Sequence, residues 1–169
     1  AIKNAVKFLR PIITARLFYN SDHLNNYIST MIVLNENGDI LTTASNADLI
    51  LLSEEIGEVY NPILKELKEK SPRQIKKIEK KYGITNDTVV AMHNIIVDTA
   101  NIEGKIDIIK HPELDLAIIK SEKVNKVHVK NFPVFSKEIP QIGTSICNIG
   151  FAFPEYDAFS YDENECVIK

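Results

Sequence analysis

The sequence has only two cysteines, and it has no hydrophobic run approaching the length of a membrane-spanning helix. Since such a helix needs about 20 apolar residues in succession, none is predicted. Cys147 and Cys166 show neither the spacing of a metal site nor that of a redox pair. The two residues are compatible with one disulfide or with two free thiols.

The chain also lacks an excess of positive charge. The chain has 20 Lys and Arg residues against 23 Asp and Glu residues, which gives a net charge of −3 and an isoelectric point near 5.8. This balance gives no general case for binding nucleic acid or an anionic membrane. The chain has 169 residues, of which 44% are hydrophobic, so it is long enough to bury one good core.

The most informative stretch is 35–47. The apolar run Met31-Ile32-Val33-Leu34 leads to Asn37-Gly38, a signal for a two-residue hairpin turn. Ile40 then starts a second strand, which is expected to end in Thr43-Ala44-Ser45. The pattern predicts an antiparallel hairpin.

Two motifs in this order resemble trypsin-like peptidases. Leu41-Thr42-Thr43-Ala44 is similar to the motif that delivers the family's catalytic histidine, but Ser45 stands where the histidine would be. Asp115-Leu116-Ala117, followed by two aliphatic residues, resembles the strand that carries the catalytic aspartate. A helix, a proline and a β-branched strand at the start of the chain resemble the HtrA-type members.

The resemblance implies a mainly β fold, an antiparallel trypsin-like β-barrel with a helical insertion at about 53–83. Residues 1–137 are expected to form the first barrel, including the inserted helices. Residues 138–169 are expected to be the start of an incomplete second barrel or a C-terminal extension. The family resemblance implies a secreted or periplasmic protein, and it leaves the cytoplasm open.

The catalytic positions of this family are degenerate here. An aspartate in the triad fixes the histidine tautomer and stabilises the imidazolium, so Asp115 has nothing to act on. Ser45 cannot replace the base, because a hydroxyl has no basic site that titrates near neutrality. The family's nucleophile lies in a Gly-x-Ser/Cys-Gly-Gly turn, which none of the six glycines forms. The family's Gly-Ser/Thr-Gly is Ser29-Thr30-Met31 here. Asp115 and Ser45 are therefore predicted to be vestigial catalytic positions.

The four histidines offer no replacement base. His23 is expected to be an exposed turn residue, His93 a structural residue in an apolar stretch, and His111 an exposed loop residue four positions before Asp115. Nothing distinguishes His128. No cluster of His, Cys, Asp and Glu has zinc spacing and no glycine-rich loop suits a phosphate, so no cofactor and no metal site are predicted.

Residues 53–83 read as helical. Apolar residues recur there at three- and four-residue spacing: Ile56, Val59, Tyr60, Ile63, Leu64 and Leu67. Pro62 after Asn61 is typical of a new helix start, so two short helices are expected in this part. A further helix is predicted from the capping box Ser71-Pro72-Arg73-Gln74 to Gly83.

This helical block is basic, with eight cations and three acids between Lys65 and Lys81. Clustered cations can hold phosphate backbones or anionic lipid. The favoured interpretation is a solvated outer face with Glu66–Lys70 and Glu69–Arg73 pairs. Contact with nucleic acid or a membrane surface is thus disfavoured, and only this block would make it.

Several other segments have a predicted structure. Residues 1–10 have helical spacing, which Pro11 should end. Strands are predicted at 12–19, 94–98, 105–110, 114–120, 127–129 and 132–135, with a turn at 100–104. Residues 140–151 are expected to form a turn, a strand and a stop at Gly150. Residues 89–92 fit a helix or a strand equally well.

These observations predict a non-catalytic pseudoprotease that binds a protein or a peptide, through barrel loops or through the inserted helices. One alternative is a fragment of a trypsin-like serine peptidase whose second barrel, with the nucleophile, is absent from this chain. The other alternative is a basic insertion that binds nucleic acid or anionic lipid.

Overall fold

A computed structural model describes residues 2–97, 106–121, 129–151 and 159–168. Within these described residues, three helices and eight strands follow one another. In order, they are α1 (Ile2–Ala5), β1 (Leu9–Phe18), β2 (Leu24–Val33), β3 (Ile40–Thr42), α2 (Ala44–Leu67), α3 (Pro72–Tyr82), β4 (Val89–Ile96), β5 (Ile106–Lys110), β6 (Ala117–Ser121), β7 (Tyr161–Asp162) and β8 (Val167–Ile168).

The main feature is a six-stranded, curled sheet with the order β4-β1-β2-β3-β6-β5. The pairs β2–β3, β3–β6 and β5–β6 are antiparallel, and β7 and β8 form a separate antiparallel pair. The predicted mainly β class with a barrel-like sheet and helices is therefore confirmed.

The register follows from alternating burial along the strands. Ile40 of β3 pairs with Val33 of β2 on one side and with Ile119 of β6 on the other. All three side chains are almost fully buried. Because side chains alternate between the faces of a strand, a shift by one residue would turn these apolar groups to the opposite face.

The chain divides into two compact units. The first comprises Ala1–Ile12, Ile28–Ala47 and Ile96–Phe153, and the second comprises Ile13–Tyr27, Asp48–Ile95 and Pro154–Lys169. In the first unit, the buried residues of β2, β3 and β6 include Met31, Val33, Ile40 and Ile119. In the second unit, one cluster is centred on Ala15, Leu17, Val90, Ala91 and Ile168, and another on Ile63, Leu67 and Ile84.

The turn between β2 and β3 is longer than predicted. Asn35 accepts a backbone hydrogen bond from Gly38 N at 3.1 Å, and Leu34 N donates to Asp39 O at 2.8 Å. The loop therefore has four residues rather than two. Gly38 has φ +78°, a conformation that favours glycine, and the Asn35 side chain accepts from Asp39 N at 3.2 Å.

The N-terminal segment departs from the prediction. The helix covers only Ile2–Ala5, and Pro11 lies inside β1 instead of ending a helix. The Pro11 carbonyl accepts from Val97 N at 3.3 Å. A proline is tolerated in a strand where its missing N–H is not required, so Pro11 did not mark the boundary.

The helical block also differs from the prediction. Helix α2 begins at Ala44, inside the predicted end of the second strand, and it runs for 24 residues through Pro62 without a break. The two predicted short helices are therefore one. Burial of Ile56, Ile63 and Leu67 on one side stabilises the helix despite the hydrogen bond that Pro62 cannot donate.

Helix α3 has the predicted ends. Gln74 Oε1 accepts from Ser71 N at 3.0 Å, which is the reciprocal half of a capping box. The helix stops at Gly83, whose φ of +67° is left-handed. The pattern of a capping residue, an N-terminal proline and a C-terminal glycine was therefore sufficient to locate this helix.

The segments after β6 carry less regular structure than predicted. Residues 129–151 contain neither helix nor strand, so the strands predicted at 132–135 and within 140–151 are wrong. A strand is stable only with a partner to accept and donate its backbone hydrogen bonds, and this segment pairs with none of the described strands. Residues 98–105, 122–128 and 152–158 lie outside the described residues. These gaps contain the predicted turn at 100–104, most of the strand predicted at 127–129, and His128. They also contain the last residue of the strand predicted at 94–98 and the first residue of the strand predicted at 105–110.

The other strand predictions correspond to strands of the structure. Residues 89–92, which fitted a helix or a strand, belong to strand β4. The strands predicted at 12–19, 105–110 and 114–120 correspond to β1, β5 and β6, with ends displaced by up to three residues.

Candidate functional site

Ser45 and Asp115, which the sequence places 70 residues apart, are in direct contact in the first unit. Asp115 Oδ1 accepts from Ser45 N at 3.0 Å and from Ser45 Oγ at 3.1 Å. The pairing of Thr42 with Ala117 brings the start of α2 beside the turn that precedes β6. The sheet register therefore positions both residues.

This arrangement caps a helix. Ser45 lies in the first turn of α2, where backbone N–H groups have no partner within the helix. Thr43 Oγ1 accepts from Asn46 N at 3.2 Å, and Asp115 satisfies a second N–H group, that of Ser45. A carboxylate at this end also interacts favourably with the helix dipole. Neither side chain offers a basic nitrogen, so the pair cannot relay a proton as a histidine and an aspartate do.

A buried polar chain supports the same helix start. Asn46 Nδ2 donates to Thr42 Oγ1 at 3.1 Å, and Thr42 Oγ1 donates to the Thr30 carbonyl at 3.1 Å. Asn46 and Thr42 are both buried. Sequence reasoning missed Thr43 and Asn46, although a threonine immediately before a helical apolar pattern is a common N-cap signal.

Substitution of Asp115 by alanine should reduce the free energy of unfolding by about 1 kcal/mol, because it leaves the Ser45 N–H without its acceptor and removes a charge favourable to the helix dipole. Thermal unfolding followed by far-UV circular dichroism measures the change. Asp115→Asn should lose less, because one carbonyl oxygen remains. Glu113→Ala in the same turn is the control, and equal losses in Asp115→Ala and Glu113→Ala would contradict a capping role.

The described histidines have other partners. His23 is exposed in the turn between β1 and β2, as predicted. His111 Nδ1 accepts from Glu113 N and Leu114 N at 3.1 and 3.0 Å, so its ring organises a turn. The His93 ring lies edge-on to Phe159 with 6.0 Å between the ring centroids, and burial lowers the pKa of the imidazole. Within the described part of the chain, no three His, Cys, Asp or Glu residues are grouped to hold a metal ion.

The second unit contains an open cavity of about 870 Å³. Its walls come from the turn between β1 and β2, the end of α2 and the β7–β8 hairpin, and they include Leu17, Tyr19, Leu24, Leu67, Phe159 and Tyr161. Tyr19 donates its hydroxyl to Glu79 Oε1 at 3.0 Å. Burial and this hydrogen bond raise the pKa of Tyr19 to about 12.

Both cysteines are free thiols. Cys147 is exposed, whereas Cys166 is buried at the cavity wall with φ +60°. Burial, together with the neighbouring Cys166 thiol, raises the pKa of Tyr161. The sequence left open one disulfide or two free thiols, and the structure has two free thiols.

Helix α2 presents an unusual outer surface, which we call the acidic stripe. Between Ala44 and Leu64 the helix has four acids and no lysine or arginine. Exposed acidic and apolar side chains alternate at three- and four-residue spacing, and these are Asp48, Leu51, Leu52, Glu55, Glu58 and Val59. Val59 is 55% exposed. The acidic stripe thus combines negative charge with apolar surface that the second unit does not cover.

None of the described helices combines the length and the apolar content that crossing a bilayer requires. No family model matches the chain, no characterised protein matches it in sequence, and no solved structure matches it in fold.

Proposed function

We propose that this chain is a non-catalytic domain, derived from a trypsin-like peptidase, that binds a basic amphipathic helix of a protein partner on the acidic stripe of α2. The observation that carries the proposal is the acidic stripe itself. Its helical spacing, its negative charge and its exposed leucines and valine define the chemistry of the partner.

The contact between residue 45 and Asp115 supports the trypsin-like derivation. The resemblance places the family's base at position 45 and its acid at Asp115, and these positions are within hydrogen-bond distance. The elements also follow the family's order, because a hairpin leads to residue 45 and a turn leads to the strand after Asp115.

The same contact supports the absence of catalysis. In a working triad the carboxylate accepts a hydrogen bond from an imidazole. Here the carboxylate accepts from a serine hydroxyl and from a helix N–H, and both groups stabilise the fold. A peptidase fragment would still lack a base at this position, so the binding function is preferred over that alternative.

Charge complementarity selects the partner. An amphipathic helix docks on a helical surface through residues at i, i+3, i+4 and i+7. Leucines and valine on the acidic stripe provide apolar contact area, and the carboxylates beside them attract lysine or arginine and disfavour an acidic partner. We therefore expect apolar anchors flanked by basic residues in the bound segment.

A synthetic 18-residue helical peptide of leucine and lysine should bind the full chain, and a leucine and glutamate peptide of the same pattern should not. Replacing Glu55 and Glu58 by glutamine, or Leu52 and Val59 by serine, should weaken binding at least tenfold, about 1.4 kcal/mol or more. Isothermal titration calorimetry measures both. The first variant removes charge and the second removes apolar area, so each half of the recognition is tested separately.

Two matched controls accompany the measurement. Glu113→Gln and Leu114→Ser change exposed residues of the same kinds in the first unit, and both should bind the peptide as the unaltered chain does. Equal binding of both peptides, or equal loss in the controls, would contradict recognition by the acidic stripe. Covalent labelling of the chain by a fluorophosphonate would contradict the non-catalytic part of the proposal.

A further inference from the structure

The outer face of α3, which we call the cationic face, is chemically the opposite of the acidic stripe. Its cations recur at three- and four-residue spacing, and they are Arg73, Lys76, Lys77, Lys80 and Lys81. This spacing puts all five on one side of the helix. All five residues are exposed.

The side chains of Ile75, Ile78 and Glu79 point the other way. Ile75 and Ile78 pack against the cluster of Ile63, Leu67 and Ile84. Glu79, the only acid of the helix, accepts from the Tyr19 hydroxyl at 3.0 Å and so is held away from the cationic face. The cationic face is therefore free of acidic side chains from its own helix.

This segregation differs from an ordinary solvated helix surface. Arg73 and Lys77 are like charges four residues apart, and Lys76–Lys80 and Lys77–Lys81 repeat that relation. Like charges at this spacing destabilise a helix, and an anionic partner would relieve the repulsion.

We propose that the cationic face binds the phosphate backbone of a double-stranded nucleic acid without reading its sequence. A duplex carries one negative charge per about 1.7 Å of its axis, so a single helix face meets several phosphates. Lysine is a point charge suited to phosphate. Gln74, the glutamine of α3, accepts from the Ser71 backbone N–H at 3.0 Å and from the Ser71 hydroxyl at 2.8 Å, so its side chain is occupied by capping and is not presented to read adenine. The Lys81 ammonium covers one face of the Tyr82 ring at 4.6 Å from the ring centroid and donates to the Tyr82 hydroxyl at 3.0 Å, so that face of the ring is closed to a stacking base.

A duplex fits these observations better than an anionic membrane. Helices that bind at the membrane surface bury an apolar face among the lipids, and the apolar face of α3 is already packed on the second unit. A duplex backbone is a narrow ridge that one helix face can contact alone.

Fluorescence anisotropy with a labelled 24-base-pair DNA of arbitrary sequence tests the proposal on the full chain. With five phosphate contacts, the logarithm of the association constant should fall against the logarithm of salt concentration with a slope of about −4.5, roughly a 500-fold loss from 50 to 200 mM. The variant K76Q/K77Q/K80Q should lose at least tenfold in affinity at 50 mM salt and reduce the slope to about −2.

Two further variants separate position, charge and folding. K3Q/K7Q/K137Q removes the same charge from exposed lysines elsewhere and should keep the slope. K76R/K77R/K80R keeps the charge on α3 and should also keep it, which excludes a general sensitivity of the helix to substitution. Circular dichroism of each variant reports whether α3 stays folded.

Several results would overturn the proposal. They are no duplex binding by the unaltered chain at 50 mM salt, an equal loss of affinity in K3Q/K7Q/K137Q, and tighter binding to a 24-nucleotide single strand than to the duplex. Binding to vesicles with 25% phosphatidylserine in the absence of duplex binding would show that the cationic face is a membrane contact instead.

Discussion

Ile119→Ala is expected to reduce the free energy of unfolding by about 2–5 kcal/mol, the range for deleting a buried aliphatic side chain. Ile119 is 1% exposed, and it pairs with Ile40 of β3 and with Ile108 of β5. The truncation removes buried apolar contacts and leaves a cavity between the neighbouring strands. Urea unfolding followed by circular dichroism measures the loss.

Ile109→Ala is the matched control, because it makes the same chemical change one strand away. Ile109 lies on β5 and is 48% exposed, so its truncation should cost about 1 kcal/mol or less. Similar losses at positions 109 and 119 would mean that Ile119 is not a core residue. They would also contradict the register in which β6 pairs with both β3 and β5.

Local patterns in the sequence were sufficient where local interactions decide the structure. The alternation in β5 and the end signals of α3 predicted both elements, because a period of two and a pair of caps are properties of the element itself. The mainly β class followed from several such segments. The strand order did not follow, because pairing between distant strands has no local signal.

Local patterns failed where tertiary packing overrides them. Pro62 and the small residues 43–45 are ordinary end signals, yet α2 starts at Ala44 and continues through Pro62. Ile56, Ile63 and Leu67 of this helix are buried within the second unit, and this gain exceeds the local cost of a proline. The isolated strands predicted after β6 failed for the opposite reason, since no described strand pairs with them.

The candidate site was also predicted only in part from the sequence. The sequence singled out Ser45 and Asp115 through a family resemblance, and the structure brings them together as cap and capped group. The acidic stripe was not predicted, because the helix was expected to begin at 53 and to break at Pro62. Its first residues, Asp48, Leu51 and Leu52, thus lay outside the expected helix.

The two helical faces have distinct consequences for the domain. Both belong to the second unit, and they carry opposite charge, with three acids on the acidic stripe of α2 and five cations on the cationic face of α3. The acidic stripe disfavours an anionic partner and the cationic face disfavours a cationic one, so the two surfaces select different ligands. A Leu/Lys peptide and a duplex should therefore bind independently, each lost only in its own variants.

Asn94→Ala is expected to reduce the free energy of unfolding by about 2 kcal/mol, because Asn94 holds β1, β4 and α2 together through polar contacts. Thr14 Oγ1 donates to Asn94 Oδ1 at 2.6 Å, and Asn94 Nδ2 donates to the Leu49 carbonyl at 3.2 Å. Thr14 is 1% exposed, so its hydroxyl finds no water when the amide is removed. A buried donor without a partner costs about 1–3 kcal/mol.

A double-mutant cycle separates this hydrogen bond from simple loss of packing. Thr14→Val alone should cost about 1–2 kcal/mol, because it leaves the Asn94 carbonyl without its donor. The double variant should be more stable than the sum of the single losses predicts, by about 1 kcal/mol, since neither partner is then left unpaired. Asn25→Ala, at an exposed position of β2, should change stability by less than about 0.5 kcal/mol. Strictly additive losses would show that Thr14 and Asn94 stabilise the second unit by packing alone.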